Sequence, residues 1–250
     1  MADPWPTTFC GILMDDTPDA DGVRWAVAST EGWDAAPLRS TYDDNTGRHG
    51  GFGSARLWSG RLVTLLGRAH CPDMAAAFRV REKITADMPG LGPGELIKHE
   101  SVPKALTVVL NDQPRTSTPI DVYPYRVTFQ IPLIAHDPFK RALTARTTAV
   151  GAGSSVPLTN DGTAAAHMLV TLTSGGTVVL TAGGVTLTTD ALPAGAVIDT
   201  ASTSVTADDG TDLMHLVAMP PLMPMLPAGG GSVAQAGTAA LSIETFDTYA

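Results

Sequence analysis

The chain has 250 residues, enough for one large domain or two smaller ones, each with its own core. Its net charge of −9 is unevenly placed: residues 1–146 hold all 16 Lys and Arg, whereas residues 147–250 hold eight acids and no Lys or Arg. An acidic half without cations repels a phosphate backbone, which excludes nucleic acid as its partner. The absence of an ~18-residue apolar run, and of a signal-peptide pattern in "MADPWPTTF", argues against membrane insertion and classical export.

In chain order, the first unusual stretch is "DDTPDADG" (Asp15 to Gly22), which imitates a calcium loop. Asp19, Asp21 and Gly22 fit the third, fifth and sixth positions of an EF-hand, but Thr17 and Ala28 stand where the leading acid and the bidentate Glu belong. An acidic hairpin loop is the expectation. Val23 to Ser29 then alternates as a strand.

The segment "GRHGGFGSARLWSGRLVTLLG" (Gly47 to Gly67) is rich in glycine and arginine but fails both phosphate-loop patterns. Gly51-Phe52-Gly53 lacks the final glycine of GxGxxG, and no GK[ST] follows. Its glycines are expected to bend a sheet, with Ser59-Gly60 a tight reversal before a strand from Arg61. Pro72 and Asp73 open the one expected helix, about Asp73 to Asp87, with Ala77, Val80, Ile84 and Met88 spaced for one face. Ala105 to Asn111 and Tyr125 to Ala135 read as further strands, giving an antiparallel β-sandwich with one helix.

Beyond "AHDPFKRALTARTTAVGAGSS" the composition shifts to Thr, Val, Gly and Ala. Short apolar runs separated by Gly175-Gly176, Gly183-Gly184 and Asp209-Gly210 predict a second β-sandwich. The expected division is 1–142 and 143–250, with Gly151 to Ser155 as a flexible joint. One late segment, "VAMPPLMPMLPAGGG" (Val217 to Gly231), is too rich in proline for a helix or a central strand. It reads either as a loop folded over its own sandwich or as an adaptable docking surface carried by Met219, Leu222, Met223, Met225 and Leu226.

Chemistry is thinly represented. The six histidines are scattered, with no HExxH and no CxxC, so neither a metal nor another cofactor is expected. No serine sits in a GxSxG elbow; Cys71 begins the helix, where a thiol pKa could fall, but no base pairs with it. An enzyme is not expected. Cys10 and Cys71 are read as reduced structural thiols. All four tryptophans precede residue 59, and beyond Arg146 the aromatics are Phe246 and Tyr249, so the second half lacks the platform a sugar ring stacks on.

The order of these weak motifs resembles the distal tail protein (Dit) family of long non-contractile-tailed phages, the siphoviruses. In the first half the resemblance rests on Trp25-Ala-Val-Ala, Glu31-Gly32-Trp33, Arg39, Arg48-His49-Gly50, Gly60-Arg61 leading through "LVTLLG", the helix, and "IPLIAHDPF". In the second half it rests on "VPLTNDGTA", "GAVIDTASTSVTADDGTD" and the late loop, which is longer and richer in Met and Pro than the family pattern. The resemblance implies a ring-forming belt domain, six copies to a ring, followed by a galectin-like β-sandwich. It implies a structural role in the virion, at the tail tip or baseplate, after synthesis in the bacterial host cytoplasm. Its implied partners are further copies of itself, the tail tube protein, the tip hub protein and other minor tail or receptor-binding proteins. The competing reading is a carbohydrate-binding sandwich that touches the host envelope. A separate expectation comes from physics alone: open antiparallel edges in the first domain would be covered by pairing between copies.

Overall fold

The alternating runs become strands whose inward residues form two cores, one in each of two units that meet at Lys140/Arg141. The computed structural model describes residues 4–39, 42–44, 51–53, 57–88, 92–117, 125–218 and 222–250. Gly47, Gly50 and Met219 lie outside them.

The first unit contains β1 (Thr7–Phe9), β2 (Ile12–Pro18), β3 (Arg24–Glu31), β4 (Leu38–Arg39), β5 (Tyr42–Asp44), β6 (Gly51–Gly53), β7 (Leu57–Trp58) and β8 (Arg61–His70). Helix α1 (Met74–Glu82) follows, then β9 (Gly94–Lys98), β10 (Lys104–Leu110), β11 (Arg115–Ser117) and β12 (Arg126–Ala135). The central ladder pairs β8 with β12 from Arg61↔Ala135 to His70↔Arg126, ten residues in unbroken antiparallel register. Period-two alternation explains its core: Val63, Leu65 and Ala69 of β8 and Val127, Ile131, Leu133 and Ala135 of β12 all point inward and are buried. Gly67 occupies an inward position because nothing larger fits there. A Cβ on it would lie 2.3 Å from Phe129 Cζ and 2.7 Å from the Ala26 carbonyl oxygen.

The sequence β12-β8-β3-β2-β1-β9-β10 returns to β12 through Val109↔Ile134 and Leu110↔Leu133, so the antiparallel sandwich closes on itself. The expected open edges are therefore largely sealed within the chain. Two pairs, β4–β7 and β5–β6, form separate two-stranded ladders, and the Gly51–Gly53 glycines belong to the second of these.

The helix begins where the sequence places it. Asp73 is the N-cap, and its side chain accepts from the Ala76 amide at 2.6 Å. Its end differs: α1 stops at Glu82 and a π-helical turn, Lys83–Asp87, carries the chain on, with the Thr85 hydroxyl donating to the Arg81 carbonyl. Ala77, Val80, Ile84 and Met88 are all buried in the same core as β8 and β12, so the apolar face is as the spacing predicts.

The second unit holds two five-stranded sheets. One runs β13 (Lys140–Val150), β22 (Leu241–Tyr249), β15 (Met168–Leu172), β18 (Val197–Asp199) and β19 (Ser204–Thr206). The other runs β14 (Ser154–Leu158), β21 (Gly231–Gln235), β16 (Val179–Ala182), β17 (Val185–Thr189) and β20 (Val217–Ala218). Gly183 and Gly184, both at positive φ, make the two-residue turn that joins β16 to β17. The stretch 151–155 is not a joint between the units: Gly151 and Gly153 turn the chain from β13 into β14 inside the second one.

Candidate docking surfaces

Among the described residues, most of the polar side chains singled out by the sequence serve the fold. Asp19, the strongest ligand of the calcium-like loop, is occupied. Its Oδ1 accepts from the amides of Asp21 and Val23, both at 2.9 Å, and its Oδ2 accepts from the Trp25 indole at 2.9 Å. Burial alone would raise this carboxyl's pKa, but the three hydrogen bonds outweigh it and hold the pKa below the usual range. The loop is thus shaped by its own backbone and by Trp25. Among the described residues no group of three or more His, Cys, Asp or Glu is placed to hold a metal ion.

Cys10 and Cys71 are free thiols. The position of Cys71 ahead of α1 does not depress its pKa: burial raises it, and the Asp73 and Asp19 carboxylates raise it further. Burial also pushes Cys10 up. Neither is poised as a nucleophile.

A buried polar cluster stands at the start of β8. Arg61 has an inward position and is fully buried; its Nη1 donates to the Trp33 carbonyl oxygen at 2.5 Å, while Nε and Nη2 have no hydrogen-bond partner among the described residues. Lys140 Nζ donates to the same carbonyl at 3.0 Å and lies 5.3 Å from the centre of the Trp33 ring. The Trp33 indole donates to Glu100, whose other oxygen accepts from Lys104 at 2.9 Å. Desolvation, followed by the positive charge of Arg61, lowers the Lys140 pKa from 10.5 to about 8. Sequence reading passes over this cluster, although one signal was available: parity along β8 puts Arg61 on the same side as Val63 and Leu65.

In the second unit Arg146, the last cation of the chain, donates to Asp161 at 2.6 Å, to Asp247 at 2.8 Å and to the Thr159 hydroxyl. It ties β13 to the 159–161 loop and to β22. Asn160, 1% exposed, closes the late loop against its own sandwich. Its Nδ2 donates to the carbonyls of Ala164 and Pro227, and its Oδ1 accepts from the amides of Gly162 and Thr248. Ala166 and Leu226 exchange both backbone hydrogen bonds, at 2.8 and 2.9 Å. Of the expected docking residues, Met223 and Leu226 sit in the core and Met225 is half-buried. Leu222 is 70% exposed, so it is the described member of the set that faces outward.

A second outward surface lies on the first unit. The even-numbered residues of β8 and β12 point away from the core. At one end of this face stand Leu62, Pro132 and Ile134, and at the other Arg68, His70 and Arg126, with Arg24 of β3 and Arg115 of β11 beside them. Between the groups lies a shallow depression of about 350 Å³ lined by Ala28, Leu66, Arg115, Ser117, Thr128 and Gln130.

Two β-sandwich units in sequence, with one α-helix among the described residues, define a mainly-β class of protein. The comparisons narrow the fold further. The chain superposes on the SPP1 Dit protein, gp 19.1, described as a paradigm of the hub adsorption apparatus in phages infecting Gram-positive bacteria. The TM-score is 0.69 at 12% identity, over 99% of this chain and 100% of that one. Chains of the phage P2 baseplate in its activated conformation match as well. With Ca the TM-score is 0.59 at 8% identity, and with Sr it is 0.57 at 9%; both matches cover 98% of each chain. This chain therefore shares the fold of the Dit protein over nearly all of its length. No protein-family model and no curated protein matches the sequence.

Proposed function

We propose that the chain is a structural component of a phage tail tip: a Dit-like adaptor of a siphovirus whose first domain, 1–142, forms a six-membered ring. In this reading the ring joins the tail tube to the hub and host-binding apparatus, and the galectin-like second domain, 143–250, projects outward. The observation that carries it is the end-to-end fold match with a Dit protein at 12% identity, over 99% of this chain and 100% of that one. At that divergence pairwise sequence similarity contributes little, so shared architecture bears the weight. The scarcity of chemistry agrees: both thiols are pushed up in pKa, and Asp19, the calcium-like acid, spends its carboxylate oxygens on the fold. Among the described residues, no helix is long and apolar enough to cross a membrane. A working adaptor would act by shape and contact.

Closed rings need a heterologous interface whose rotation closes. Because the first unit's sheet seals itself through β10–β12, the contact must come from side-chain surfaces more than from strand addition. Native mass spectrometry and class-averaged electron micrographs of the full chain test the proposal. Six-fold rings, or six-fold rings formed on adding tube or hub protein, support it. A chain that stays a monomer or closed dimer even with those partners would refute it.

A further inference from the structure

We propose that the arginine-bearing outer face of the first unit docks the acidic turn Asp208–Asp212 of a second copy of this chain. The inference rests on the ring reading above and adds a contact between neighbouring copies to the one their first domains make.

Register alone assembles the receptor. Arg24 of β3, His70 of β8 and Arg126 of β12 stand opposite one another in a single row across three strands, since His70 pairs with both. The next row on the same face brings Arg68 beside Thr128 and Ser117, and the row beyond brings Leu66, Gln130 and Arg115 together. With strands about 4.8 Å apart, four guanidinium groups and an imidazole gather on one side of the sheet. Arg68, Arg115 and Arg126 are exposed. Among the described residues one carboxylate answers them: Asp16, 3.4 Å from Arg24. The field of this patch is felt by His70, whose pKa is lowered by burial and then by Arg68, with Arg126 and Arg24 adding to the effect and Asp16 opposing it. Four of the chain's 12 arginines are thus concentrated on one face of a molecule with net charge −9.

The ligand is carried by the other half. Residues 147–250 have eight acids and no Lys or Arg. Asp208, Asp209 and Asp212 are exposed within five residues, just beyond the three-residue strand β19. The turn is held rigid: Gly210 donates to the Ala207 carbonyl, Ala207 donates to the Thr211 carbonyl, and Asp209 accepts from the Thr211 amide. It is a preformed acidic knuckle, and the depression beside Arg115, with hydroxyl and amide donors at Ser117, Thr128 and Gln130, is a polar seat beside the arginines. The two surfaces differ, so each copy can offer one to one neighbour and accept the other from the next, as successive copies in a ring do. The same pairing offsets the mutual repulsion of the acidic second units.

The test uses the full chain. Sedimentation equilibrium and native mass spectrometry across a NaCl series are run on wild type, on R68E/R126E, on D208K/D209K, on the four-fold combination, and on a mixture of the two double variants. Circular dichroism confirms that each is folded. Each double variant is expected to weaken self-association by about tenfold or more, and wild-type association should fall with salt. The four-fold variant and the mixture should both regain assembly, because each restores opposite charges across the contact. If wild type assembles and the double variants assemble equally well, or if the loss persists in the four-fold variant and the mixture, the inference fails while the ring reading stands. If wild type forms no oligomer alone or with tube or hub protein added, the ring reading falls and this contact with it. If short duplex DNA binds wild type but not R68E/R126E, while self-association ignores the reversal, the face serves a polyanion and the inference is overturned.

Discussion

Replacing Lys140 with Met should remove a cost that the first unit carries at neutral pH. Lys140 is 5% exposed, and burial beside Arg61 lowers its pKa from 10.5 to about 8. A buried cation with a depressed pKa is an unfavourable group while it stays charged. Below pH 8 it is protonated in both folded and unfolded chains, and the full cost is present. Between about 8 and 10.5 the unfolded chain still binds the proton that the folded one has released, so stability rises with pH through that window. Full conversion of the shift gives about 3 kcal/mol, and roughly half of that remains once residual solvation of a polar cluster is allowed for. Lys140→Met does not orphan the Trp33 carbonyl, because Arg61 still donates to it. All four tryptophans lie in this unit, so urea unfolding followed by tryptophan fluorescence reports it selectively. The free-energy gap between wild type and variant should move by about 1.5 kcal/mol in favour of wild type from pH 7.5 to 10.5. A gap that stays constant over that range would refute the argument.

Gly67→Ala should destabilise the first unit by about 2–3 kcal/mol, read from the same fluorescence transition, because its Cβ would meet the Phe129 ring and the Ala26 carbonyl; an unchanged midpoint would mean that the ring swings aside freely. Arg146→Ala should cost the second unit about 1 kcal/mol through loss of the Asp161 and Asp247 pairs, with the effect shrinking in high salt. Trypsin under native conditions should spare the Arg146–Thr147 bond, which lies within β13; an early fragment starting at Thr147 would contradict this. Thermal melting with and without a chelator should coincide, since the oxygens of Asp19 are satisfied by protein donors; a drop of several degrees would reopen the loop as a cation site.

Period and punctuation made much of this fold legible. Alternation in "RLVTLLG" and "YRVTFQIPLIA" locates the two longest strands of the first unit, and Asp73 with its apolar i, i+3 and i+4 neighbours locates the helix. Long-range closure was not legible. That β10 returns to β12 depends on the curvature accumulated over seven strands, which no local pattern encodes. The π-turn escaped for a related reason: Ile84 and Met88 suit a continuing α-helix equally well by spacing. In the late loop, composition pointed to a surface while burial of Met223 and Leu226 is decided by Asn160, some sixty residues earlier in the chain. The arginine face was equally hidden, because Arg24, Arg68, Arg115 and Arg126 are scattered in sequence and are brought together by strand register alone.

The way the sheets end bears on how copies can meet. In the second unit β14 carries Pro157, which cannot donate to a ladder; β20 is two residues long; and β19 is three residues long and runs into the acidic turn at Asp208 and Asp209. Short, proline-bearing and charged edges resist the addition of a foreign strand. In the first unit the closure through β10–β12 removes the long edges, and β11 adds a three-residue one beyond β12. Backbone pairing between copies is therefore disfavoured at each of these places. Specific assembly then depends on side-chain faces, where charge sets register and orientation more than raw affinity. A chain that keeps its cations in the first unit and sends eight acids and no cation into residues 147–250 has a built-in polarity for such contacts. Contacts between the first unit of one copy and the second unit of another are thereby favoured over contacts between two second units.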